Sequence, residues 1–188
     1  MKRYGIGGAT LLAMWAGPAW AHPGHGGSGF ASGLLHPLTG ADHLVAMLLV
    51  GLWAGLMARQ AMWLLPAAFL SAMLTGFGLG AAGLAGTPAE MLILLSLLVL
   101  GGAVAANLRA PLALAAGAAG LFGFAHGLAH GLEAPAGALP IGFAAGFLIS
   151  TAMLHGAGLA LARLIPVPAV RAGGWLGVGL GAFLMVAT

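Results

Sequence analysis

The chain has 188 residues, 61% of them hydrophobic and 5% charged, with a mean hydropathy of +1.07. That lies far from the roughly half-apolar, quarter-charged mix of a soluble domain, so the medium the chain is built for is lipid. Six scattered basic residues against three acidic ones give a pI of 10.8 without a basic patch, which excludes nucleic acid as a partner. The lack of cysteine excludes disulfides, thiolate metal sites and a cysteine nucleophile.

The chain opens with Lys2 and Arg3, a short apolar stretch from Ile6 to Trp15, and Ala19-Trp20-Ala21 after Pro18. Positive residues, a short apolar run and a small-x-small site make a secretory signal over residues 1–21. The run is short for the roughly 20 residues of a membrane span, so cleavage is expected, not retention as a first helix. The mature chain then begins outside the cytoplasm at His22, with His25 close behind, and a Gly/Ser-rich stretch over 22–33 reads as a flexible periplasmic lead-in.

From residue 34 to 188 the chain reads as one all-α, polytopic permease domain. Apolar stretches of spanning length run over 38–58, 62–85, 89–107, 111–132, 138–162 and 170–187, which predicts six transmembrane helices. An outside N-terminus places the breaks after the first, third and fifth spans in the cytoplasm. Those breaks hold Arg59, Arg109, Arg163 and Arg171, as the positive-inside rule requires. The expected location is the bacterial inner membrane. Glu90 and Glu133 then fall at external helix ends.

An ionisable side chain inside a bilayer costs at least roughly 2.5–3.5 kcal/mol at mid-helix, so where one persists it usually lines a path or grips a ligand. Two of the three acids, Asp42 and Glu133, sit beside histidines in such segments. In His36-Pro37-Leu38-Thr39-Gly40-Ala41-Asp42-His43, Pro37 fits the first turn of a helix, which makes His36 the expected cap of the first span. Seven residues advance a helix by about 700°, so His36 and His43 are expected within roughly 20° of one face. Asp42 can either ligate alongside His43 or hold the second nitrogen of an imidazole. Imidazole and carboxylate together suit a borderline divalent ion such as Ni²⁺, Co²⁺ or Zn²⁺.

On the fourth span, His126, His130 and Glu133 fall within about 60° of one another and form one polar stripe. Gly123, Gly127 and Gly131 recur every four residues beside it, a groove where another helix can pack closely. His155 on the fifth span, one turn from Thr151, would lie deeper and extend a route inward. His22 and His25 are candidates to gather metal at the mouth. The nine methionines read as packing residues, and Trp53, Trp63 and Trp175 as interfacial anchors. The sequence contains no phosphate loop, dinucleotide fingerprint or nucleophile elbow.

The segment from His36 to His43 resembles the HPxxGxDH signature of the HupE/UreJ family of nickel or cobalt permeases, with all five fixed positions present. The similarity extends over essentially the whole chain, including the histidine-rich fourth span. It implies a small permease, no enzyme and without a prosthetic group, that imports Ni²⁺ or Co²⁺ from periplasm to cytoplasm. It also implies metal-site roles for His36, Asp42 and His43 and, less firmly, for the stripe. Urease, hydrogenase or cobalamin synthesis would be the processes served. Two other readings use the same ligand types: an intramembrane zinc-dependent hydrolase, which would need an open coordination position beside a substrate cavity, and a non-transporting metal-binding accessory protein.

Overall fold

A computed structural model describes residues 29–57, 59–83, 89–133 and 140–187, with only the backbone at positions 133 and 140. The signal segment 1–21, His22 and His25 lie outside the described residues. Within them the chain is all-α, in seven helices: α1 Gly29–Thr39, α2 Ala41–Leu56, α3 Ala61–Ala81, α4 Ala89–Ala105, α5 Leu112–Glu133, α6 Pro140–Leu164 and α7 Val167–Ala187. Helices α3, α5, α6 and α7 are each long and apolar enough to cross a membrane. The pair α1 and α2 passes the same test as one span bent by 83°, whereas α4, with 17 residues, is shorter. The protein is therefore a multi-pass membrane protein.

The first span corrects the expectation from sequence. Pro37 lies inside the end of α1, not in a first turn, and His36 sits in the last turn of that helix instead of capping the next one. Residues 29–33, expected in a flexible lead-in, form the start of α1. A proline within a helix withholds the N–H that would bond the carbonyl four residues back and its ring crowds that carbonyl, which weakens the last turn of α1; the helix ends at Thr39, and Gly40 takes an extended conformation (φ −97°, ψ 119°). The Thr39 hydroxyl donates to the His36 carbonyl at 2.7 Å, which satisfies one of the orphan acceptors of the last turn. The Leu44 amide donates to Gly40 O at 2.9 Å and opens α2, whose first turn holds Asp42 at the positive end of the helix dipole. His36 and His43 therefore belong to different helices, and the continuous-helix phase between them does not apply.

Helices pack in close pairs wherever glycine faces backbone. On α5, a Cβ added at Gly123, Gly127 or Gly131 would collide with the carbonyl oxygens of Phe69, Met73 or Phe77 on α3. Gly76 and Gly80 on α3 return the contact against Phe124 and Leu128. The groove expected beside the histidine stripe is filled by α3. Two similar seams hold the bent span to α6: Gly33 and Gly146 clasp the α1 crossing, Gly51 and Gly158 the α2 crossing. Lipid offers helices no hydrophobic incentive to associate, so such backbone approach, with its dispersion and weak C–H···O contacts, carries the packing.

One end of the bundle is tied by polar contacts to backbone. Arg171 Nε donates to Ala105 O at 2.7 Å and Trp53 Nε1 to Leu108 O at 2.9 Å, around Asn107, which has a positive φ of 50°. Arg171 and the segment carrying Arg109 thus share one end of the molecule, as the charge pattern implied. Trp63 and Trp175 are exposed, as interfacial anchors are, whereas Trp53 is buried in the core.

The seam makes a direct prediction. Gly127→Ala places a methyl against the rigid carbonyl of Met73, so α3 and α5 must separate, at a cost of about 1–3 kcal/mol. Gly117→Ala, on the same helix but with open space around it, should leave stability unchanged or slightly raised. Thermal unfolding of the two detergent-solubilised variants checks this, and equal melting temperatures would refute the seam.

Candidate metal-ion site

The bend at Gly40 sets His36 and His43 on two sides of a corner, and α5 presents His126 and His130 to that corner from one face. The four rings meet. Ring centroids are 4.6 Å apart for His36 and His130, 4.7 Å for His43 and His130, 5.1 Å for His43 and His126, and 6.4 Å for His36 and His43. The two histidine clusters that are far apart in sequence therefore form one cluster in space. His126 and His130 are fully buried. His43 retains 18% side-chain exposure and Asp42 26%, so the corner opens to the outside of the bundle on their side.

Local geometry fixes how several of these imidazoles present themselves. Asp42 Oδ1 lies 2.8 Å from His43 Nδ1 and also accepts from the His43 amide at 2.9 Å. His126 Nδ1 lies 2.8 Å from Phe122 O, one turn back on its own helix. His155 Nδ1 lies 2.8 Å from Met47 O across the α2/α6 seam. A carboxylate and a carbonyl accept only, so a neutral imidazole in these contacts carries its proton on Nδ1 and its lone pair on Nε2. Each of the three Nε2 atoms is buried with no hydrogen-bond partner among the described residues. This is the arrangement that outer partners impose on metal-ligating histidines. Of the two roles open to Asp42, its geometry here is that of the partner that orients His43.

Gly40 makes this possible at close quarters. A Cβ at that position would lie 2.9 Å from Asp42 Oδ1 and 3.0 Å from His43 Nδ1, so a side chain there would push on the pair. Around the imidazoles stands an aromatic wall: Phe143 at 5.5 Å from His36, Phe147 at 5.1 Å from His130, and Phe69 at 5.4 Å from His126. No ionisable group marks these residues in the sequence. Their spacing was the available signal, since Phe69 and Phe77 are eight apart on α3, and Phe143 and Phe147 four apart on α6.

His155 is buried but stands apart from the four, with Phe69 at 4.9 Å and the Thr151 hydroxyl donating to Met47 Sδ at 3.3 Å beside it. Glu133 closes α5 one turn beyond His130, and its side chain lies outside what is described. In this conformation the four rings pack edge to face or tilted, and no three His, Asp or Glu side chains among the described residues are arranged to close on one ion.

Protein HupE of Rhizobium leguminosarum bv. viciae is 40% identical over 157 residues, which cover 82% of this chain and 82% of that protein. No solved structure matches the chain. A family model described as HupE / UreJ protein matches residues 10–186, and the chain belongs to that family.

Proposed function

We propose that the protein is a permease that carries Ni²⁺ or Co²⁺ from the periplasm into the cytoplasm across the bacterial inner membrane. The observation that carries the reading is the convergence of His36, His43, His126 and His130 in the interior of an apolar bundle. Leaving a buried polar atom unpaired costs about 1–3 kcal/mol, and the Nε2 atoms of His43, His126 and His155 all bear that cost. Such a concentration of unsatisfied acceptors marks a place kept for something that accepts lone pairs. Neutral imidazoles suit Ni²⁺ and Co²⁺, and the Asp42 carboxylate offsets cationic charge where the dielectric is low.

In this reading α4 is also a span, the third of six, made long enough by the turn residues that follow it. The signal segment is removed, and His22 and His25 gather ions at the mouth. The ion is the cargo, and no resident cofactor is needed. At the corner it exchanges water for imidazole nitrogens after modest side-chain adjustment, with Glu133 assisting from the outer end of α5. It then moves inward toward His155. Supply of metal to hydrogenase, urease or cobalamin synthesis is the expected use.

Two measurements test the reading. His43→Ala and His126→Ala should each lower ⁶³Ni²⁺ or ⁵⁷Co²⁺ uptake into proteoliposomes at least about tenfold, and Asp42→Asn, which loosens the hold on His43 Nδ1, should weaken metal affinity by about 10–100-fold. Normal uptake by His43→Ala contradicts the proposal.

A further inference from the structure

Ring contacts run unbroken from His36 through His130 and His43 to His126, each between imidazoles, and then change character. The step from His126 to His155 is bridged by a phenyl group. Phe69 lies 5.4 Å from His126 and 4.9 Å from His155, meeting the second ring at 90°. Among the described residues these two histidines make no ring contact with one another. Phe69 is fully buried and offers neither lone pair nor proton.

We infer that Phe69 is an apolar plug that separates the outer four-histidine cluster from His155 and closes the pathway between them. This inference rests on the transport reading above. A hydrophobic constriction blocks hydrated ions and breaks any chain of hydrogen-bonded water, so it stops protons as well as metal while the outer site is open. A carrier needs such a barrier, because a site open to both sides at once dissipates the gradients it works between.

The surroundings determine which part of Phe69 moves. A Cβ at Gly123 would collide with the backbone of Phe69, so the α3 main chain is held against α5 at that point. Opening therefore falls to the side chain. With His126 held at Nδ1 by Phe122 O and His155 by Met47 O, the two Nε2 atoms stay in place on either side while the ring swings.

The plug is tested without metal. Wild type, Phe69→Leu, Phe69→Ala and Phe69→Gln are reconstituted in liposomes loaded with a pH-sensitive dye, and proton leak is followed after a pH step. Leucine keeps an apolar plug and should leak within twofold of wild type. Alanine opens space for water, and glutamine supplies a polar amide at a bulk close to that of the leucine control. Both should raise the leak at least tenfold, and the glutamine variant keeps the test valid if the alanine variant fails to fold. Folded alanine or glutamine variants as tight to protons as wild type overturn the plug. Nickel uptake by wild-type liposomes is measured in parallel: its absence counts against the transport reading, whereas the leak reads Phe69 alone.

Discussion

In lipid every backbone polar group must be satisfied, so a span can break only where neighbouring helices or water meet the freed groups. The corner at Gly40 is such a break, and the site depends on it. Pro37 and Gly40 end one helix and begin another at 83°, and α6 covers both halves through glycine seams at Gly33/Gly146 and Gly51/Gly158. A continuous helix would stack His36 above His43 along one face. The bend instead lets the two rings flank those of His126 and His130, so that one short motif contributes from two directions.

A second constraint acts on the imidazoles. Each ring has one nitrogen that donates and one that accepts when neutral. By committing Nδ1 to a carboxylate or a backbone carbonyl, the fold sets the tautomer of His43, His126 and His155 and leaves Nε2 unpartnered. The acceptors come from three places on two helices: the first turn of α2, the preceding turn of α5, and the middle of α2 across from α6. Close helix approach is a precondition for the last of these. Met47 O reaches His155 because Gly51 and Gly158 bring α2 and α6 together in the same region.

Much of this was legible in the sequence, because it follows from local periodicity. Apolar run lengths gave α3 to α7 to within a few residues, and the 126/130 stripe with its four-residue glycine spacing gave both the polar face and the packing groove that α3 fills. The corner was not legible. Pro37 is favoured in the first turn of a helix, so its place in the last turn of α1 runs against the local preference, and the start of α1 is hidden in a Gly/Ser-rich stretch that favours a loop on composition alone. Which role Asp42 takes depends on a 2.8 Å contact that spacing leaves open. The meeting of the two histidine clusters is a tertiary fact, since each helix fixes its own polar face but not its neighbour. Phe69 escaped notice because an isolated phenylalanine in an apolar span looks like any other core residue until His126 and His155 are found on either side of it.

The central claim is that imidazoles brought together at the corner bind the transported ion. X-ray absorption at the nickel K-edge of the purified, Ni²⁺-loaded protein measures this directly. The spectrum should show several imidazole nitrogens around the metal, with fewer in His43→Ala and in His126→Ala. A coordination shell of oxygen alone, or one unchanged by both substitutions, would contradict it.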